Sequence, residues 1–144
     1  MKLEKKLMKL ADLMLNEKKD LRTAQTAWVI LFTSNKLILG KRAPSVKNPN
    51  LWNFLGGHVD EGETPAEAAA RELYEEIKVK VSSSDLKEIS KIGNATYFAY
   101  KVSGMVGKTT SEVSKIEQFK LTDLPSNLHS KTENFFQKLD NLLQ

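Results

Sequence analysis

Three glutamates stand where a helix would bring their carboxylates together. Glu72, Glu75 and Glu76 are spaced i, i+3 and i+4, so about 100° of rotation per residue places them on one side of a helix. Like charges at this spacing cost a few tenths of a kcal/mol per pair, and a cation between them offsets that cost. Carboxylate oxygens without His or Cys favour a hard cation, Mg²⁺ or Mn²⁺. The spacing therefore predicts a divalent-metal site of the kind that meets phosphate groups.

The helix that would carry these glutamates is predicted from its first turn and its apolar positions. Thr64 and Glu67 form a capping box, with Pro65 at the first helical position. An apolar stripe is expected on a different face from the carboxylates, and it consists of Ala66, Ala70, Leu73 and Ile77. This stripe would dock on a core and leave the carboxylates to meet a ligand.

The longer stretch from residue 57 to residue 79 resembles the Nudix box, whose pattern is G-x5-E-x7-R-E-U-x-E-E-x-G-U with U an aliphatic residue. The matching residues are Gly57, Glu63, Arg71, Glu72, Leu73, Glu75, Glu76 and Val79. One position departs from the pattern, because Lys78 stands where the family has its second glycine. That glycine often ends the helix with a positive φ. Lys78 would either keep this conformation, at about 1 kcal/mol, or shift the helix end.

The resemblance implies a fold and an activity. The fold would be α/β (α+β), a Nudix-type α/β/α sandwich with a mixed β-sheet. The activity would be that of a Mg²⁺-dependent pyrophosphohydrolase, with Mn²⁺ as the other metal. It would cleave a nucleoside diphosphate linked to a further group X. MutT-like members act on nucleoside triphosphates, and others use nucleotide sugars, dinucleoside polyphosphates or capped RNA. A nucleotide- or RNA-binding module without turnover is the alternative.

The resemblance also assigns roles to particular residues. A carboxylate from a later loop commonly serves as ligand or general base, and Glu112 is the candidate, with Glu117 as its competitor. Glu63 and Arg71 would form a buried ion pair that ties the loop to the helix. The predicted catalytic residues are Glu75, Glu76 and Glu112. The predicted metal ligands are Gly57, Glu72, Glu75 and Glu76.

Residues outside the box are candidates for substrate binding. Lys41 and Arg42 end a strand close to the box and would hold a phosphate, although an ordinary strand end is the alternative. Trp28 is expected in the core, and His129 is expected at the surface. The aromatic residues predicted to stack on a base are Trp52, Phe54 and Tyr97.

Composition narrows the class of protein. The chain has 144 residues, enough for one domain with a core. It has no cysteine, which excludes a disulfide framework, a zinc–thiolate site and a cysteine nucleophile, and which fits a cytoplasmic location. Segment 57–79 holds seven acids and two bases, which give it a net charge of −5. The whole chain has a net charge of +4, so the rest of the chain carries +9. An acidic patch in a basic chain suits a metal that meets a polyanion.

The hydrophobic pattern predicts the elements around the box. A C-terminal helix is expected to open with a capping box at Ser130 and Glu133. Strands are expected at 27–32, 37–42, 78–81, 96–102 and 116–121.

Residues 2–16 are predicted to form a further helix, with Leu3, Leu7, Leu10 and Met14 on one stripe. This helix would pack on the domain, form a homodimer, or bind a membrane surface or RNA. We therefore expect an N-terminal helical extension at 1–20 and a Nudix domain at 21–144. The expected partner is a nucleotide substrate, and no membrane span is expected.

Overall fold

A mixed β-sheet lies at the centre of the fold, with helices on both faces, in a computed structural model that describes residues 3–13 and 24–143. The strands are β1 (Thr26–Phe32), β2 (Lys36–Arg42), β3 (Trp52–Asn53), β4 (Leu55–His58), β5 (Lys87–Ile92), β6 (Ala95–Lys101) and β7 (Val113–Lys120). The helices are α1 (Leu3–Leu13), α2 (Pro65–Ile77) and α3 (Ser130–Leu143), and a 3₁₀ turn spans Ser83–Asp85.

The sheet is ordered β3-β2-β1-β6-β5, with β4 also paired to β1 and β7 to β2. β1 and β6 are parallel, and the other pairs are antiparallel. Because successive side chains of a strand point to opposite faces, β1 contributes to two cores. Trp28, Ile30 and Phe32 belong to the core under α1 and α3, whereas Val29 and Leu31 belong to the core under α2. The predicted α/β/α sandwich with a mixed sheet is confirmed.

Helix α1 packs on the sheet and on α3. Leu3, Leu7 and Leu10 are buried in the same core as Phe135 of α3, and Glu4 forms an ion pair of 2.9 Å with Lys101. The predicted packing of this helix on the domain is confirmed for these leucines, and Met14 lies outside the described residues. Within the described ranges, no helix is long and apolar enough to cross a membrane.

One predicted strand is wrong, and three observed strands, β3, β4 and β5, were not predicted. Residues 78–81 form no strand, although Val79 and Val81 pack partly buried against the core under α2. The strand lies later, at Lys87–Ile92, and pairs with β6. Its sequence is mostly polar, and Ile89 is its one fully buried apolar side chain. The pairing with β6 is a long-range contact that the local pattern does not encode.

Candidate active site

Helix α2 begins and ends as its sequence predicts. The Thr64 hydroxyl accepts a hydrogen bond from the Glu67 backbone N–H, and the Glu67 side chain accepts one from the Thr64 N–H, which completes the capping box. Lys78 keeps the left-handed conformation, with φ 61°, and its N–H donates to the carbonyl of Tyr74 at 2.9 Å. The helix end is therefore where the family places it, despite the missing glycine.

The buried face of α2 is rotated relative to the predicted stripe. Leu73 and Ile77 are buried as predicted, whereas Ala66 and Ala70 are only partly buried. The remaining buried residues of the helix are Ala68, Ala69 and Glu76. Glu76 is therefore buried and Glu72 is partly buried, whereas Glu75 is exposed.

Glu76 is a buried carboxylate, only 7% exposed. Its Oε1 accepts a hydrogen bond of 2.6 Å from the backbone N–H of Gly56 in β4. Burial raises the pKa of Glu76 to about 8, and the nearby charges of Glu72 and Glu112 act in the same direction, while the Gly56 bond and Arg42 oppose them. A carboxylate held this way favours a bound cation.

Glu72 lies beside Glu76 along the helix and against the backbone of Gly57. Burial raises the pKa of Glu72, although Arg71 donates a hydrogen bond of 2.9 Å to its Oε1 and opposes the shift. A Cβ added to Gly57 would lie 2.8 Å from Cδ of Glu72. The glycine therefore leaves space for the carboxylate to lie directly on the β4 backbone.

Arg71 binds the loop before the helix and also holds Glu75. Its guanidinium donates two hydrogen bonds to Glu63, at 2.8 and 2.9 Å, and one of 3.0 Å to the carbonyl of His58. The pair is partly buried rather than fully buried, with side-chain exposures of 29% for Arg71 and 20% for Glu63. Glu75 forms an ion pair of 3.3 Å with Arg71, and its carboxylate lies outside the cavity described next.

A cavity of ≈ 390 Å³ brings acids and bases together at the end of the sheet. Two of its acids come from α2, and the third comes from the loop before β7. The acids that line it are Glu72, Glu76 and Glu112, and the cationic side chains are Arg42, Lys47 and Lys131. This arrangement joins a cation-binding wall to an anion-binding wall, as a phosphate ester bound to a metal requires.

In two pairs of candidate residues, one member lines the cavity and the other does not. Arg42 lines it, whereas its neighbour Lys41 does not. Glu112 lines it, whereas Glu117 is exposed on β7 outside it. In each pair one residue is placed near the buried glutamates, and Glu112 and Arg42 also act on the pKa of Glu76.

The three aromatic residues expected to stack on a base lie in the core under α1 and α3, so this expectation is corrected. Trp52 packs edge-on against Phe119 with ring centroids 4.9 Å apart, and Phe54 and Tyr97 are 2% and 1% exposed. None of these three rings lines the cavity. The aromatic side chain that does is Trp28, which also contributes to the core.

His129 was expected at the surface, and the structure places it in the cavity wall, with its ring centroid 6.2 Å from that of Trp28. Its Nδ1 accepts a hydrogen bond of 3.1 Å from the backbone N–H of Lys131. Because α3 begins at Ser130, His129 precedes the helix and caps it, so the predicted capping box of Ser130 and Glu133 is wrong. Because Nδ1 accepts, the neutral ring carries its proton on Nε2, so the Asn48 amide nitrogen 3.4 Å away, itself a donor, is not its hydrogen-bond acceptor. Burial lowers the pKa of His129, and Arg42 and Lys131 lower it further.

The residues of the cavity fit a hard divalent cation. Over residues 3–13 and 24–143 no three His, Cys, Asp or Glu side chains are already grouped as metal ligands. The fit rests on the chemistry of the donors, since Glu72 and Glu76 offer only oxygen and both carboxylates have raised pKa values. Because Gly57 has no side chain, the Glu72 carboxylate can lie beside it. Glu75 could bind the same cation only after its ion pair with Arg71 breaks.

Comparisons with known proteins agree on a family. The family profile described as NUDIX domain matches residues 22–139. An RNA pyrophosphohydrolase of Erythrobacter litoralis is 39% identical over 67 residues, which cover 46% of this chain and 41% of that protein. An 8-oxo-dGTP diphosphatase of Proteus vulgaris is 36% identical over 70 residues, which cover 49% and 61%. The MutT protein of Methanosarcina mazei Go1 has the same fold, with a TM-score of 0.68 at 19% identity over 84% and 95% of the two chains.

Proposed function

The chain belongs to the NUDIX domain family, and from that premise we propose that it is a Mg²⁺-dependent pyrophosphohydrolase. The substrate is a nucleoside diphosphate linked to X, and the products are a nucleoside monophosphate and phosphorylated X, or pyrophosphate when the substrate is a triphosphate. The observation that carries the proposal is the meeting of Glu72, Glu76 and Glu112 with Arg42 in one cavity. The matched stretches cover less than two thirds of the two curated relatives, so their activities support the proposal only as analogies.

The metal would be held by Glu72, Glu76 and the carbonyl oxygen of Gly57. Mg²⁺, or Mn²⁺ in its place, offsets phosphate charge and lowers the pKa of a water molecule. Glu112 accepts the proton from the water that attacks phosphorus, because it lines the same cavity as Glu72 and Glu76. The bond from that phosphorus to the bridging oxygen then breaks, and the leaving phosphate keeps the electron pair.

The polyphosphate of the substrate would extend from the glutamates toward the cationic wall. Arg42 is fixed in this wall because its Nε donates a hydrogen bond of 2.7 Å to the carbonyl of Lys47. The rest of the guanidinium is then free to bind phosphate oxygens through two parallel donors. Lys47 and Lys131 line the same cavity and add point charges.

The substrate class follows from the residues that line the rest of the cavity. Trp28 and His129 line the rest of the cavity, where the edge of one ring and the Nε2–H of the other would contact the nucleoside. We propose a nucleoside 5′-polyphosphate, either free or at the 5′ end of an RNA. The names of the two relatives span both forms, and a net charge of +4 favours either polyanion.

The test is a product assay by mass spectrometry with Mg²⁺. The panel contains nucleoside triphosphates, an oxidised one among them, nucleotide sugars, dinucleoside polyphosphates, and short RNAs with a 5′ triphosphate or a cap. We expect release of a nucleoside monophosphate, or of RNA with a 5′ monophosphate, and a loss of about a hundredfold or more in Glu76→Gln.

Two further variants test which glutamate is the general base. Glu112→Gln should lose most of its turnover, while Glu117→Gln, on the same part of the chain but outside the cavity, should behave as the wild type. The reverse result would transfer the role to Glu117. Normal turnover in Glu76→Gln would overturn the proposed hydrolase mechanism, and binding of the panel without any cleavage would indicate a binding module instead.

A further inference from the structure

The hydroxyl of Thr110 connects helix α2 to the loop before β7, the two segments whose glutamates line the cavity. It donates a hydrogen bond of 2.7 Å to the backbone carbonyl of Glu76 at the end of α2. It also accepts hydrogen bonds from the backbone N–H groups of Glu112 and Val113, both at 3.3 Å. A single side-chain oxygen thus bonds to the backbones of buried Glu76 and of Glu112, which lines the same cavity.

The segment around Thr110 is docked on the helix at further points. The N–H of Lys108 donates a hydrogen bond of 2.8 Å to the carbonyl of Ile77. Gly107 lies so close that an added Cβ would be 3.0 Å from the same carbonyl oxygen, and its φ is 92°. The segment therefore lies directly against the last turn of α2, where helix carbonyls lack partners within the helix.

The backbone of Glu112 is held from two sides. Its N–H bonds to Thr110, and its carbonyl accepts a hydrogen bond of 2.9 Å from the N–H of Ala43, next to Arg42. No described contact holds its exposed carboxylate. The backbone bonds therefore limit the positions that this carboxylate can reach relative to Glu76.

We propose that Thr110 is a positioning residue that holds Glu112 at a fixed separation from Glu76, so that the charge of Glu112 strengthens cation binding by Glu72 and Glu76 and its carboxylate reaches the attacking water. This inference rests on the proposed function, because it gives Glu112 a role in that chemistry. The hydroxyl acts through the two glutamates and does not touch the substrate.

The requirement is for a hydroxyl group and not for the shape of threonine. Valine has nearly the same shape, yet it neither donates to the Glu76 carbonyl nor accepts from Glu112. Serine keeps both functions. Thr109, the adjacent residue, is exposed and has no recorded hydrogen bond, so Thr109→Val is a matched control.

The first experiment measures equilibrium binding of Mn²⁺ to the full chain by calorimetry, without substrate. We expect Thr110→Val to weaken binding by about tenfold, as loss of a supporting hydrogen bond does at other metal sites. Thr110→Ser and Thr109→Val should stay within about threefold of the wild type. Wild-type Mn²⁺ affinity in Thr110→Val would overturn the proposal.

The second experiment is a double-mutant cycle with Glu112→Gln, read by Mn²⁺ affinity and by kcat and KM. If Thr110 acts through Glu112, Thr110→Val should cost little in the Glu112→Gln background, and its effect in the wild type should fall on kcat more than on KM. Equal costs in both backgrounds would overturn the proposal and leave Thr110 as a helix cap. If the wild type cleaves no substrate, the proposed function fails, whereas the Mn²⁺ cycle still decides the role of Thr110.

Discussion

The backbone N–H of Gly56 donates a hydrogen bond of 2.6 Å to Oε1 of Glu76, which joins β4 to the last turn of α2. Residue 56 has no side chain, and this lets β4 lie close against β1 at the same point. An added Cβ would lie 2.8 Å from the Cα of Trp28 in β1 and would collide with the carbonyl of Ala27. The buried carboxylate is thus held by the fold itself, before any ligand binds.

The burial of Glu76 predicts a stability that depends on pH. Its pKa is raised from 4.5 to about 8, so between these values the folded protein holds a proton that the unfolded chain releases. The stability contributed by this group therefore falls as pH rises through that range. Without metal, Glu76→Gln should be more stable than the wild type by at least about 1 kcal/mol at pH 8, and the difference should vanish near pH 4.5.

Urea unfolding in EDTA at several pH values measures this difference. Addition of Mg²⁺ at pH 8 should restore stability to the wild type and leave Glu76→Gln unchanged, because the cation stabilises the ionised carboxylate. A gap between the two proteins that is constant from pH 5 to pH 8 would contradict the prediction.

Gly57 is expected to be required for the position of Glu72. Its backbone is not left-handed, so alanine brings no backbone strain, but the new Cβ would lie 2.8 Å from Cδ of Glu72 and displace that carboxylate. Gly57→Ala should lower kcat about tenfold or more, with a small change in Tm. Gly104→Ala is the control, since its Cβ would meet no heavy atom within 4 Å. Comparable losses in both variants would argue against this role.

Arg42 and Lys41 should differ in substrate affinity although they are neighbours. Arg42 lines the cavity and Lys41 does not, so only Arg42→Gln should remove a phosphate contact. We expect KM to rise about tenfold in Arg42→Gln, because a tenfold change corresponds to the free energy of one charged hydrogen bond. KM should stay near the wild-type value in Lys41→Gln. Steady-state kinetics at two salt concentrations tests this, and an equal rise in both variants would indicate a general charge effect.

Arg71→Lys should destabilise the protein even though the charge is kept. Lysine cannot reproduce the paired bonds to Glu63 together with the bond to His58. We expect a loss of about 1–3 kcal/mol in urea unfolding. In a cycle with Glu63→Gln the two losses should not add, since both variants break the same pair. Additive losses would show that Arg71 stabilises the protein mainly through other partners.

The elements nearest the candidate site were predictable because their rules are local. Thr64, Pro65 and Glu67 determine where α2 begins through bonds within one helical turn. The failed strand at 78–81 shows the limit of this reasoning. Val79 and Val81 have a strand-like composition, but the strand that pairs with the outer edge of β6 is Lys87–Ile92, which only long-range pairing selects.

The sequence by itself determined the family, the fold class and the identity of the three glutamates, because fixed spacing along one helix encodes them. Only the tertiary structure decided which side of that helix is buried. In that structure Glu76 is buried and Glu75 forms an ion pair with Arg71. Glu112 and His129 come from distant parts of the chain and line the same cavity. Those positions depend on packing against β4 and on the docking of two loops, and neither is encoded in residues adjacent in sequence.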